Sequence, residues 1–157
     1  MPRGHRILLL ATLLPLCWLL MLAVHELGHV LGAWLSAGEV TKVVLHPCTI
    51  SRTDLGHNPH PLVVVWAGPL AGSILPLLAF LIARICRSPG VYLFRWFAGF
   101  CLSANGVYIS IGSFAALADA GVMLRNGSPG WTLILFGLLT APAGLYLLHR
   151  QGPYFGL

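Results

Sequence analysis

The stretch ILLLATLLPLCWLLMLAVHELGHVLGAWL, from Ile7 to Leu35, carries one formal charge, at Glu26. A helix needs about 20 apolar residues to cross a hydrocarbon core of roughly 30 Å. This run is longer than that, so at about 1.5 Å per residue it must tilt or protrude. Near its far end stand His25-Glu26-Leu27-Gly28-His29. Two imidazoles and a carboxylate are costly in hydrocarbon and mark a functional site by default. On a helix, His25 and His29 are i and i+4 and share one face. That spacing lets both rings bind one Zn²⁺, with Glu26 beside them as a base for a water molecule. Gly28 and Gly32 form a G-x-x-x-G on the same stripe and allow a second helix to approach closely.

Three more uncharged runs follow, Pro61 to Ala83, Trp96 to Ala118 and Trp131 to Leu148. The chain is 57% hydrophobic and 8% charged, against roughly 25% charged in a soluble domain. The expected fold is an all-α polytopic membrane protein with about four transmembrane helices, near 7–36, 61–84, 91–112 and 131–148. A short helix is expected at about 114–125, and a short β segment or hairpin after the first helix. Residues 1–157 read as one membrane-embedded domain. Met1 to Leu20 resembles a signal peptide, but no convincing small-x-small site precedes His25, and the segment is read as a retained span.

The net charge of +5 does not indicate nucleic acid, because the basic residues form no patch. Arg3, Arg6, Arg84, Arg87, Arg95 and Arg150 lie at the ends of apolar runs and read as interface anchors. Cys17, Cys48, Cys86 and Cys101 form no C-x-x-C pair; three lie in or beside apolar runs and read as buried inert thiols, with Cys48 in the polar loop as the exception.

Gly38 is expected to end the first helix. The β-branched content of Val40 to His46 predicts a strand or short hairpin. Pro47 to Pro61 is polar and turn-rich and reads as a solvent or interfacial loop. The second helix holds Ala67-Gly68-Pro69-Leu70-Ala71-Gly72, a second G-x-x-x-G, with bends expected at Pro69 and Pro76. The third is unusually polar, with Ser103, Asn105, Tyr108, Ser110 and Ser113. Ser113 is a candidate cap for the short helix, which Asn126-Gly127 ends. Asp119 falls mid-way along that element. The last helix reads as scaffold.

A catalytic zinc takes three protein ligands and an open position. A metzincin-like third histidine fails, because position 35 is Leu35. Glu39 follows His29 too closely for the chain to fold back. Asp54, Asp119 or one of His46, His57 and His60 remain. Asp119, flanked by alanines and Leu117 at a membrane boundary, has the stronger need of a partner.

The ordered set resembles the site-2 protease family of intramembrane zinc metalloproteases. H-E-x-x-H on a membrane helix is followed by a short β segment, an Ala-Gly-Pro at Ala67 to Pro69, Asn105 on a polar helix, and Asp119 in an Asp-x-Gly context. The similarity spans roughly Leu20 to Leu124. It implies His25, His29 and Asp119 as ligands of one Zn²⁺ per chain, Glu26 as general base, and Asn105 as an active-site asparagine holding substrate or solvent. It implies a transmembrane segment of another membrane protein as substrate and the lipid bilayer as surroundings. Gly72 stands where the family often has asparagine, Ala120 separates Asp119 from Gly121, and no PDZ-like insertion fits, which suggests a compact branch.

Two other readings follow from the same residues. One is a zinc-binding membrane scaffold or regulator without catalysis. The other is a metal transporter, which ordinarily carries paired repeats not visible here. The basic N-terminus and the Arg84 to Arg95 loop favour the cytoplasmic side, whereas the resemblance implies the opposite orientation.

Overall fold

A computed structural model describes residues 3–48, 51–149 and 151–155. Arg150 and the side chains of Arg3 and Arg6, read above as anchors, lie outside the described residues. The element order is α1 (Arg3–Leu35), β1 (Val40–Val44), β2 (Arg52–Leu55), α2 (Pro61–Ile85), α3 (Val91–Ala115), α4 (Ala118–Arg125), α5 (Gly130–Leu148) and a 3₁₀ turn (Gly152–Phe155). Among the described residues, α1, α2, α3 and α5 are long and apolar enough to cross a membrane. Their outward faces carry large apolar side chains, such as Ile82 at 60% and Leu138 at 65% exposure. Such surface suits lipid, not water. α1 packs on α2, α2 on α3, and α3 on α5, while α1 scarcely touches α3.

Small residues set these approaches. A Cβ on Gly28 would lie 2.8 Å from the Gly68 Cα, so the two G-x-x-x-G stripes face each other across α1 and α2. The polar residues of α3 are explained in part by α5. Ser103 abuts Gly144, and Ser110 abuts Gly137, giving a close small-residue seam. The last helix is therefore the partner that accommodates the hydroxyls of the third.

The expected β segment is an antiparallel hairpin. Lys42 pairs with Asp54, Val43 with Thr53 and Val44 with Arg52, and an irregularity lies between Val40 and Lys42. Its second strand falls inside the segment read from sequence as a loop. Arg52, Thr53 and Asp54 show no apolar alternation, so period-2 reasoning misses them. Pairing with β1 and contact with α1 hold the strand instead.

Four helix ends close in the same way. The N–H of Gly38, Ser88, Leu117 and Ser128 donates to the carbonyl of Ala33, Ala83, Gly112 and Met123 respectively. The residue before each donor is left-handed: Ala37, Arg87, Ala116 and Gly127. These are Schellman-type closures, and only one uses glycine. This explains why α3 runs to Ala115 and does not stop at Gly112, whose carbonyl accepts the closing bond. It also ends α1 at Leu35, with Ala37 taking the left-handed position and Gly38, the expected stop, donating the closing bond. Ser113 does not cap α4. Its hydroxyl donates to the Ser110 carbonyl at 2.6 Å, and Leu117 occupies the cap position without a side-chain bond.

A cluster of Val65, Ile109, Ala120, Met123 and Leu133 seats α4 against α2, α3 and α5. The Trp66 indole donates to Ser128 Oγ at 2.9 Å and pins the far end of α4. The left-handed alanine at the α3–α4 corner gives a stability test. A left-handed L-residue costs about 1–2 kcal/mol, partly offset on substitution by the extra chain entropy of glycine. Ala116→Gly is expected to raise unfolding free energy by roughly 0.5–1 kcal/mol, read by denaturant or thermal unfolding in detergent. A lower stability would exclude the left-handed corner.

Candidate metal centre

α1 presents His25, Glu26 and His29 toward α2, α3 and the hairpin, and all three are buried. Asp119 reaches them from the first turn of α4, not from its middle as the sequence suggested. There its negative charge also suits the positive end of the helix dipole. His25 Nε2 lies 2.9 Å from Asp119 Oδ2, and His29 Nε2 lies 3.5 Å from the same oxygen. One ligand atom from each residue falls within 4.8 Å of the others. Tetrahedral bonds of 2.0–2.2 Å require donors about 3.4 Å apart, a separation that the two distances to Asp119 bracket. The three residues can therefore hold a metal ion.

The surroundings fix which ring nitrogens face that point. His29 Nδ1 donates to the Val64 carbonyl at 2.9 Å. His25 Nδ1 donates to Asn105 Oδ1 at 2.7 Å. Each Nδ1 bond orients its ring as a metal-bound histidine is ordinarily oriented, and leaves Nε2 on the side of Asp119. Asn105 is itself held, since its Nδ2 donates to the Cys101 carbonyl at 2.9 Å. Burial pushes the Asp119 carboxyl upward, but hydrogen bonds to His25 and His29 outweigh it and hold the group well below the usual carboxylate range.

Two glycines of α2 make room for this arrangement. Any Cβ on Gly68 would collide with the His29 ring, and one on Gly72 would lie 2.9 Å from both polar atoms of the Asn105 amide. The G-x-x-x-G read from sequence as helix packing is also the clearance for two site residues.

Glu26 Oε2 accepts a hydrogen bond from Thr53 Oγ1 at 2.8 Å. The sequence offered no signal for Thr53, because its place depends on hairpin pairing. Glu26, His25 and Asn105 line a cavity of about 360 Å³ between α1, α3 and the hairpin loop. Its walls are mainly apolar, from Trp18, Met21, Leu22, Ala104 and Tyr108. The Trp18 indole donates to the Pro47 carbonyl at 2.9 Å and ties the hairpin loop to α1.

The other candidate ligands lie elsewhere. Asp54 pairs with Arg52 at 2.9 Å. His46 Nδ1 accepts from the Cys48 amide, the His57 carbonyl accepts from the Glu39 amide, and His60 precedes α2 at its cap. Among the described residues, His25, His29 and Asp119 form the one group of His, Cys, Asp or Glu with metal-site geometry. Cys17 and Cys101 are buried as expected, but Cys86 is exposed, because it caps the end of α2 beyond the packed helices, and Cys48 is exposed as well. No protein-family model, curated protein or solved structure matches the chain.

Losing a group that orients a metal-bound histidine ordinarily costs about 10–100-fold in metal affinity. Asn105→Ala is expected to weaken metal binding by about that factor, measured by chelator competition on purified protein. Unchanged affinity would remove Asn105 from the support of His25.

Proposed function

We propose that the chain is an intramembrane zinc hydrolase that cleaves peptide bonds of membrane-embedded or membrane-proximal segments, akin to the site-2 protease family. One observation carries this reading: Asp119 converges on His25 and His29 while Glu26 faces an apolar cavity beside them. Two imidazoles, each oriented through Nδ1 by Asn105 or the Val64 carbonyl, and one carboxylate suit zinc with an open position. When bound, that ion supplies a Lewis acid that acidifies water and polarises a carbonyl.

The chain's own residues supply the rest. Glu26 takes a proton from water at the cavity floor and later delivers it to the leaving amine. Thr53 holds one carboxylate oxygen of Glu26 and leaves the other for proton transfer. Asn105 acts as a positioning residue, because its amide is committed to His25 and Cys101. The apolar walls receive a hydrophobic side chain and limit water. A helical substrate hides its peptide bonds in internal hydrogen bonds, so it must unwind before attack. The hairpin offers strand edges on which an extended segment can pair.

The test compares wild type with Glu26→Gln on a model transmembrane peptide in detergent and in liposomes. General acid–base catalysis contributes about 10²–10⁴-fold. The variant is expected to lose cleavage by at least about 10²-fold while keeping stoichiometric zinc by elemental analysis. Normal cleavage by Glu26→Gln would overturn the base assignment. Zinc binding without cleavage by wild type would favour the scaffold reading. Zinc flux across liposomes without cleavage would favour transport.

A further inference from the structure

A second cavity, of about 350 Å³, lies at the opposite end of the helices from the metal centre. It is formed where α2 ends, α3 begins and α5 runs into the 3₁₀ turn, and Arg84, Tyr92, Arg95, Tyr146, Gln151 and Tyr154 line it. The turn is fastened there: Tyr92 stacks on Tyr154 with centroids 5.4 Å apart, and Trp96 meets Phe155 edge-on.

Three features set this cavity apart. All four acidic residues of the chain, Glu26, Glu39, Asp54 and Asp119, belong to the other end. Neither arginine of the cavity has an ion-pair partner among the described residues. Arg95 is held in place by donating Nε to the Leu147 carbonyl at 2.8 Å and Nη2 to the His149 carbonyl at 3.2 Å. Finally, Gln151 is 1% exposed. Its Nε2 donates to the Leu147 carbonyl, while its buried Oε1 has no hydrogen-bond partner.

Two cations without counter-charge call for an anion, and a buried acceptor calls for a donor beside it. A phosphodiester carrying a hydroxyl provides both. The site lies at span ends, level with headgroups, and Tyr146 and Tyr154 are exposed at 74% and 59%, as amphipathic rings at that level are. We propose that this cavity binds the headgroup of an anionic phospholipid, its phosphate between Arg84 and Arg95 and its hydroxyl toward Gln151. The positive-charge rule assigns this end to the cytoplasmic leaflet, where anionic lipids and basic interhelical pockets meet.

The experiment is native mass spectrometry of the full chain in detergent, offered phosphatidylglycerol and phosphatidylcholine of identical acyl chains. A surface arginine contributes about 1 kcal/mol toward anionic lipid, or about fivefold. Wild type is expected to retain phosphatidylglycerol over phosphatidylcholine by at least about that factor, and R84Q to lower the preference by about fivefold. R87Q, altered in the adjoining loop outside the cavity, is expected to keep the preference. Equal retention of both lipids by wild type, unchanged preference in R84Q, or equal loss in R84Q and R87Q would overturn the site. Inorganic phosphate that displaces the lipid and stabilises lipid-free protein to the same extent would assign the cavity to the free ion and overturn the lipid.

Discussion

Two imidazoles on a membrane helix cannot be left without partners. His25 and His29 are both buried, and the carboxylate that answers them comes from Asp119, 94 residues beyond His25. Much of the architecture serves that meeting. α2 must lie against α1 closely enough for its Val64 carbonyl to hold one ring. α3 must bring Asn105 to the other. The α3–α4 corner must turn back sharply enough that the first turn of α4 points inward. A desolvated polar group costs several kcal/mol when unpaired, so an error in any of these placements is felt at the centre.

The parts of this design that depend on short-range chemistry are legible in the sequence. Hydrophobic length locates the four long helices, and i,i+4 spacing joins His25 to His29. The unusual placement of Asp119 beside apolar neighbours singles it out among four acids. What escapes is set by partners distant in the chain. β2 looks like loop because its residues are polar and its order comes from β1. Thr53 gains its role only when the hairpin lies against α1. The end of α3 is placed three residues early, at Gly112, because glycine is taken as the stop signal, whereas alanine or arginine adopts the left-handed position in three of the four closures.

The small residues divide into two functions that sequence cannot separate. Gly137 and Gly144 admit serines of α3 into a seam, which is a matter of packing. Gly68 and Gly72 leave space for His29 and Asn105, which is a matter of site shape. Both sets read alike as small-x-x-x-small patterns or their near relatives. The distinction lies in what occupies the vacated volume.

The bond between Thr53 and Glu26 joins a carboxylate on a long rigid rod to a hydroxyl on a two-stranded flap. The hairpin cannot swing away from the rod without breaking that clasp, so the seat of the flap and the hydrogen bonding of the acid are mechanically linked.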